Sequence, residues 1–194
     1  MHLFFLRLSR LMAWLGGAML TLLILLICAS VTGRALNGML HSDMAQGVAP
    51  GLATWLLDLG IGPINGDFEL TEAGIAFSIF AFLPLCHITG GHAAVDVFTQ
   101  RLSPRVNRGL RLVTEAVFAA VMVLIAVQLN AGMLSKMRSG QTTFLLEFPV
   151  WWGYALSLTG AVVAAAVAIW MAWIRLQEAI IGRDLLPADL GAEH

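Results

Sequence analysis

Four apolar runs organise the chain, at residues 11–33, 70–89, 112–134 and 148–174. A hydrocarbon layer of about 30 Å takes roughly 20 helical residues to cross, so each run predicts a membrane-spanning helix. Between the first two spans, "PGLATWLLDLG" places Leu52, Trp55, Leu56 and Leu59 at helical spacing with Asp58 off that face. That stretch is too short to cross and predicts a helix lying in the outer interface. The second span opens at "GDFELTE", where Asp67 is the expected N-cap and Glu69 and Glu72 occupy the first turn, the end that a helix dipole makes favourable for anions. Pro84 within the second span predicts a bend, because it cannot donate to the carbonyl of Phe80.

The second run stops at Gly90-Gly91, a natural helix end because glycine accepts the left-handed conformation. His92 and Asp96 follow as i,i+4 neighbours, spaced to face each other across one turn and brace it with a local hydrogen bond. Val95, Phe98 and Leu102 share a face of a second interfacial helix, and Ser103-Pro104 reads as N-cap and first residue of the third span. Glu115, four residues after Arg111, predicts a juxtamembrane ion pair. Gln128 and Asn130 are candidates for hydrogen bonds between helices, worth about 0.6 kcal/mol each.

Lysine and arginine counts set orientation. With the N-terminus inside, the inner segments hold Arg7, Arg10, Arg101, Arg105, Arg108, Arg111, Arg175 and Arg183, and the outer ones only Arg34, Lys136 and Arg138. Both termini are therefore expected in the cytoplasm. The aromatic belt agrees: Trp151, Trp152 and Tyr154 open the last span, Trp170 and Trp173 close it, and Trp152 to Trp170 covers roughly 27 Å of helix. Arg7 and Arg10 precede the first run as in a signal peptide, but its apolar core is longer than such a segment needs, so it reads as a retained helix. The expected fold is an all-α integral membrane protein, a single domain over residues 1–194 with four transmembrane helices and short interfacial helices.

Composition narrows the classes. Only 12% of the 194 residues are charged, against about a quarter in soluble domains. A net charge of -1 argues against nucleic-acid binding. Cys28 and Cys86 lie in oily runs without metal or redox spacing and read as packing residues. A haem-binding or structural membrane anchor of a respiratory enzyme would need histidines facing each other from different spans, whereas His87 and His92 share one segment. A self-sufficient carrier would show paired, interrupted helices from an internal repeat, and none is present. No buried charge cluster, nucleophile, cofactor or metal site is expected.

Two patches carry a resemblance. "GDFELTEAGIAFSIFAFLPLCHITGGHAAVDVF" resembles the second-span region of the small permease subunit (DctQ-like) of tripartite ATP-independent periplasmic (TRAP) transporters, with Glu69, Gly91, His92, Val95 and Asp96 at the matching positions. "GQTTFLLEFPVWWGYALSLTG" is similar to the family's entry into its last span, through Thr143, Pro149, Trp151 or Trp152, and Tyr154. Ala93, where the family usually carries a bulky aliphatic residue, and the long first outer loop depart from the pattern. The resemblance implies a non-catalytic subunit of the inner membrane. It would partner a large permease subunit that carries the substrate and sodium sites, and a periplasmic binding protein that delivers an organic acid. Under that implication Arg34, Asp58, Glu69 and Glu72 are candidate docking residues at the outer mouth, Gly91, His92, Val95 and Asp96 form a structural turn, and the tryptophans and Tyr154 anchor the chain among membrane lipids.

Overall fold

The computed structural model describes residues 1–48, 50–91, 103–183 and 185. They form helices α1 (His2–Leu40), α2 (Asp43–Val48), α3 (Pro50–Asp58), α4 (Asp67–Ile88), α5 (Pro104–Ser139) and α6 (Trp151–Ile181). Helices α1, α4, α5 and α6 are long and apolar enough to cross a membrane and correspond to the four predicted spans.

Three of them run well past the apolar runs that predicted them. At 39, 36 and 31 residues, α1, α5 and α6 extend to about 58, 54 and 46 Å. The oil does not end these helices; backbone chemistry does. α5 continues through Lys136 and Arg138 to Gly140, and α6 through Arg175 to Gly182, both glycines in the left-handed conformation. At its start, α5 has Ser103 at the N-cap with extended backbone and Pro104 at the first helical position, as predicted. α6 begins at Trp151, three residues later than expected. The chain before it makes a small hairpin in which Thr143 N donates to Phe148 O and Val150 N donates to Gln141 O.

The spans do not close into a bundle. α6 packs against α4 on one side and α5 on the other, and α1 packs along α4 and touches α6 through Phe5 and Leu6 near its start, which gives the main order α1, α4, α6, α5. The central contact rests on small residues. Gly160, Ala161, Ala164, Ala165 and Ala168 are all buried on one side of α6. A Cβ on Gly160 would lie 2.8 Å from Phe80 Cβ and 3.0 Å from the Phe80 carbonyl carbon, so α6 lies almost directly on the α4 backbone. α1 joins in the same way: a Cβ on Gly16 would stand 3.0 Å from Ala81 Cβ, and Leu23 packs onto Gly74. α5 completes the core with Ala119 and Met122 against Ala164, Ala165 and Ala168, with Phe80 and Leu83 packed around them. Small residues are thus used chiefly inside the chain; Gly17, by contrast, has nothing within 4 Å of where a Cβ would be. Pro84 is fully buried inside α4, and the helix runs on beyond it to Ile88.

The short helix expected between the first two spans is present as α3. Ala53 is buried, while Leu52, Trp55 and Leu59 are exposed and point away from the protein. Residues 92–102, expected to form a second such helix, lie outside the described residues. Cys86 is half-buried, but Cys28 faces outward and does not pack within the chain.

Because the α4–α6 contact has no slack, Gly160→Ala is expected to cost about 1–3 kcal/mol through forced backbone displacement. Gly17→Ala, in open space, should be neutral or slightly stabilising, since alanine is the better helix former. Thermal unfolding of the two variants in detergent distinguishes them; equal midpoints would mean that α4 and α6 have room to separate.

Candidate functional site

The end of the molecule at which α4 begins, the outer end in the orientation expected from the arginine distribution, is held by two polar clamps, each built on an acid at the start of α4. In the first, Ser30 of α1, fully buried, donates to Asp67 Oδ2 at 2.6 Å and accepts from Ile64 N at 3.2 Å. Arg34 reaches the same Asp67 oxygen at 3.5 Å while its own side chain stays more than half exposed. Asn37 donates to Ile61 O at 2.8 Å, and Gly33 meets the carbonyl of Gly62 so closely that no side chain fits there. Asp67 is therefore not the N-cap. That position belongs to Gly66 (φ 78°), and the Asp67 carboxylate turns toward α1, with its other oxygen taking the N–H of Phe68.

The second clamp is Glu69. Its two oxygens accept the N–H groups of Leu145 and Leu146, at 2.7 and 3.0 Å, from the hairpin that joins α5 to α6. Both donors precede Glu147, which adopts a positive φ of 54°. That conformation is costly for a side chain with a Cβ and persists where surrounding contacts dictate it. Beside it stands Phe144, 90% exposed at the hairpin tip. Sequence reasoning missed this hairpin. The available signal was the apolar "TFLLE" in a short outer connection that a charged or polar turn would normally fill.

The four candidate docking residues thus have separate situations. Arg34 and Glu69 are engaged in internal clamps, Asp58 is exposed at the end of α3, and Glu72 is exposed and borders a cavity between α4 and α5. Of the aromatic anchors, Trp152 and Trp173 are about half exposed. Trp151, Tyr154 and Trp170 are partly buried; Trp170 stacks on Phe5 with ring centroids 5.3 Å apart, and Tyr154 packs over Gly132. Gln128 and Asn130, expected to bond across helices, instead face out of α5 and bond no described group.

The opposite end, the inner one in that orientation, holds a feature contrary to the expectation from sequence: a buried cluster of charge. His87 Nε2 lies 2.9 Å from Glu115 Oε2, Arg175 Nε lies 4.0 Å from Glu115 Oε1, and Arg175 donates from its terminal nitrogen to Glu178 Oε2 at 2.8 Å. Glu178 is 1% exposed and also accepts the N–H of Leu185, which ties down the chain beyond α6. The His87 ring stacks on Phe118, centroids 4.1 Å apart. Glu115 therefore does not pair with Arg111 one turn back. It points across the helix gap to α4 and α6, because a carboxylate this deep gains more from an interior cation than from an exposed one. The neighbouring stop is a Schellman turn: Gly91 N donates to Cys86 O at 2.8 Å and Gly90 N to His87 O at 3.2 Å, with Gly90 at φ 68°. His92, Val95 and Asp96, the rest of the predicted turn, lie outside the described residues.

Two carboxylates share one guanidinium in this cluster, so removing the guanidinium takes the arginine charge away from both at once. Arg175→Met should cost about 3–5 kcal/mol, the scale of breaking a buried pair. The double variant Arg175→Met, Glu178→Met should recover part of that loss. Thermal unfolding of the purified protein checks this, and a fully stable Arg175→Met would mean that the cluster contributes nothing to the fold.

Comparison with known proteins supplies the family. The sequence profile described as "Tripartite ATP-independent periplasmic transporters, DctQ component" matches residues 23–178, which take in part of the first span, the other three apolar runs, both clamps at the start of α4 and the charge cluster. No curated protein matches the chain. No solved structure matches it either. The open row of four spans is thus a multi-pass membrane protein that belongs to the DctQ family, the small permease component of TRAP transporters.

Proposed function

We propose that this chain is the non-transporting subunit of a sodium-driven organic-acid transporter of the bacterial inner membrane. In this reading it braces a large permease subunit and offers part of the surface on which a periplasmic binding protein docks. The observation that carries the reading is the sealed interior. The cavity near Glu72 at one end and the His87–Glu115–Arg175–Glu178 cluster at the other are separated by the core of Phe80, Leu83, Ala119, Met122 and Ala165. Substrate routes through membranes are lined by polar or charged groups, and this core has none. The polar groups that do lie near the spans are mostly paired with one another, as structural staples are. Another chain must then carry the substrate.

The outward carboxamides of α5 support a protein neighbour. Gln128 and Asn130 lie two to three turns below the cationic end of the helix at Lys136 and Arg138. Such groups are commonly satisfied by an adjacent helix. Arginine asymmetry supports cytoplasmic termini, and with that orientation the clamped hairpin with Phe144 and the exposed Asp58 face the periplasm, where a binding protein would arrive. Glu69 serves docking indirectly in this picture, by fixing the hairpin.

A tagged form of this chain, expressed with the multi-span permease of its own transporter, is expected to purify as a stable heterodimer. Gln128→Leu with Asn130→Leu should weaken the pair by about 1–2 kcal/mol, the scale of interhelical hydrogen bonds measured in model systems. Recovery of this chain alone, under conditions that keep the permease folded, would count against the scaffold role.

A further inference from the structure

We infer that the cavity between α4 and α5 is a binding site for an aminophospholipid, with its ammonium group at Glu72 and its ester region at Ser157. α4 and α5 both pack on α6 and meet each other through few contacts, so at the outer end they splay around a cavity of about 570 Å³. That is within the range of small-molecule sites, roughly 300–1,000 Å³. Its lining is layered. Glu69, Glu72 and Lys136 stand at the rim, and Ala76, Phe80 and Leu129 line the apolar part toward the middle of the spans. Ser157 lines the same cavity at 3% exposure, and its hydroxyl bonds no other described group. That hydroxyl is available to donate to an acceptor on a ligand in the cavity.

The layering selects the ligand. Ser157 stands six residues into α6 from Trp151, about 9 Å along the helix axis and so below the level of the aromatic belt. A lipid whose headgroup lies at that belt has its ester carbonyls at this depth, where the Ser157 hydroxyl can donate to one of them. The rim carries two carboxylates against one ammonium, which disfavours an organic anion and favours a headgroup that brings its own cation. Glu69 is already occupied by Leu145 and Leu146, so Glu72 is the carboxylate available to that cation. Lys136 donates to Gln141 at 2.6 Å and keeps further N–H groups for the lipid phosphate. One acyl chain then fills the apolar gap between α4 and α5.

The test uses the full chain, purified in mild detergent with whatever subunit accompanies it, and native mass spectrometry with phosphatidylethanolamine or phosphatidylglycerol of the same acyl chains. Wild type should retain phosphatidylethanolamine over phosphatidylglycerol by roughly two- to fivefold, the scale of one exposed ion pair. Glu72→Gln, an exposed substitution that leaves the packing untouched, should abolish the preference. Ala76→Phe should reduce retention of both lipids by filling the cavity. Should that variant fold poorly, a photoreactive phenylalanine analogue at Leu129 gives an independent reading, with cross-linking to lipid as the expected product. Equal retention of the two lipids by wild type, a preference unchanged by Glu72→Gln, or cross-linking of Leu129 to protein and not lipid would each overturn the assignment.

Discussion

Everything in this molecule hangs from the contact between Gly160 of α6 and the α4 backbone at Phe80–Ala81. In a membrane, apolar side chains gain little by leaving lipid for each other, so helices associate through close packing and through polar groups. Gly160 and the alanines that follow it let two helices approach almost backbone to backbone. Once α4 is fixed there, α1 can lie against its other side through Gly16 and Leu23, and α5 can close on α6 through Ala119 and Met122. The result is a row of spans that, among the described residues, encloses no channel, a form suited to leaning on a neighbour.

Polar groups lock that row at its two ends. At the outer end Asp67 and Glu69, two residues apart at the start of one helix, hold opposite sides of the molecule: Asp67 takes α1 through Ser30 and Arg34, and Glu69 takes the α5–α6 hairpin through two backbone amides. At the inner end Glu115 joins α5 to α4 and α6 through His87 and Arg175, and Glu178 secures the chain beyond α6. Charges so deep are tolerable because each has an opposite charge or a hydrogen-bond donor beside it. They also discriminate between packings, since sliding one helix by a turn would leave a carboxylate unpaired.

The spans, the short helix α3, the start of α5 at Ser103-Pro104 and the Gly90-Gly91 stop were legible in the sequence, because hydrophobic length and glycine and proline chemistry are local properties. Helix ends were legible wherever such a residue marked them and misplaced where apolarity alone was used, since α5 and α6 stay helical through Lys136 and Arg175 until a glycine turns the chain. The partners of the charges were not legible. Arg111 is one turn from Glu115 in sequence, yet Arg175, sixty residues away, shares the interior with it. Which face of a helix is buried decides that, and three of the spans are apolar nearly all round. Glu69 shows the same limit: its place in the first turn of α4 was plain, but its hold on Leu145 and Leu146 depends on α5 and α6 bringing the hairpin back overhead.

A scaffold that conducts nothing is the central claim, and reconstitution tests it most directly. Sodium-driven organic-acid uptake would be measured in liposomes holding this chain alone, the large permease alone, or both, with the binding protein supplied in each case. The account predicts uptake in the liposomes that hold both and none in those with this chain alone. Uptake by this chain alone would contradict it, and so would full uptake by the large permease without this chain.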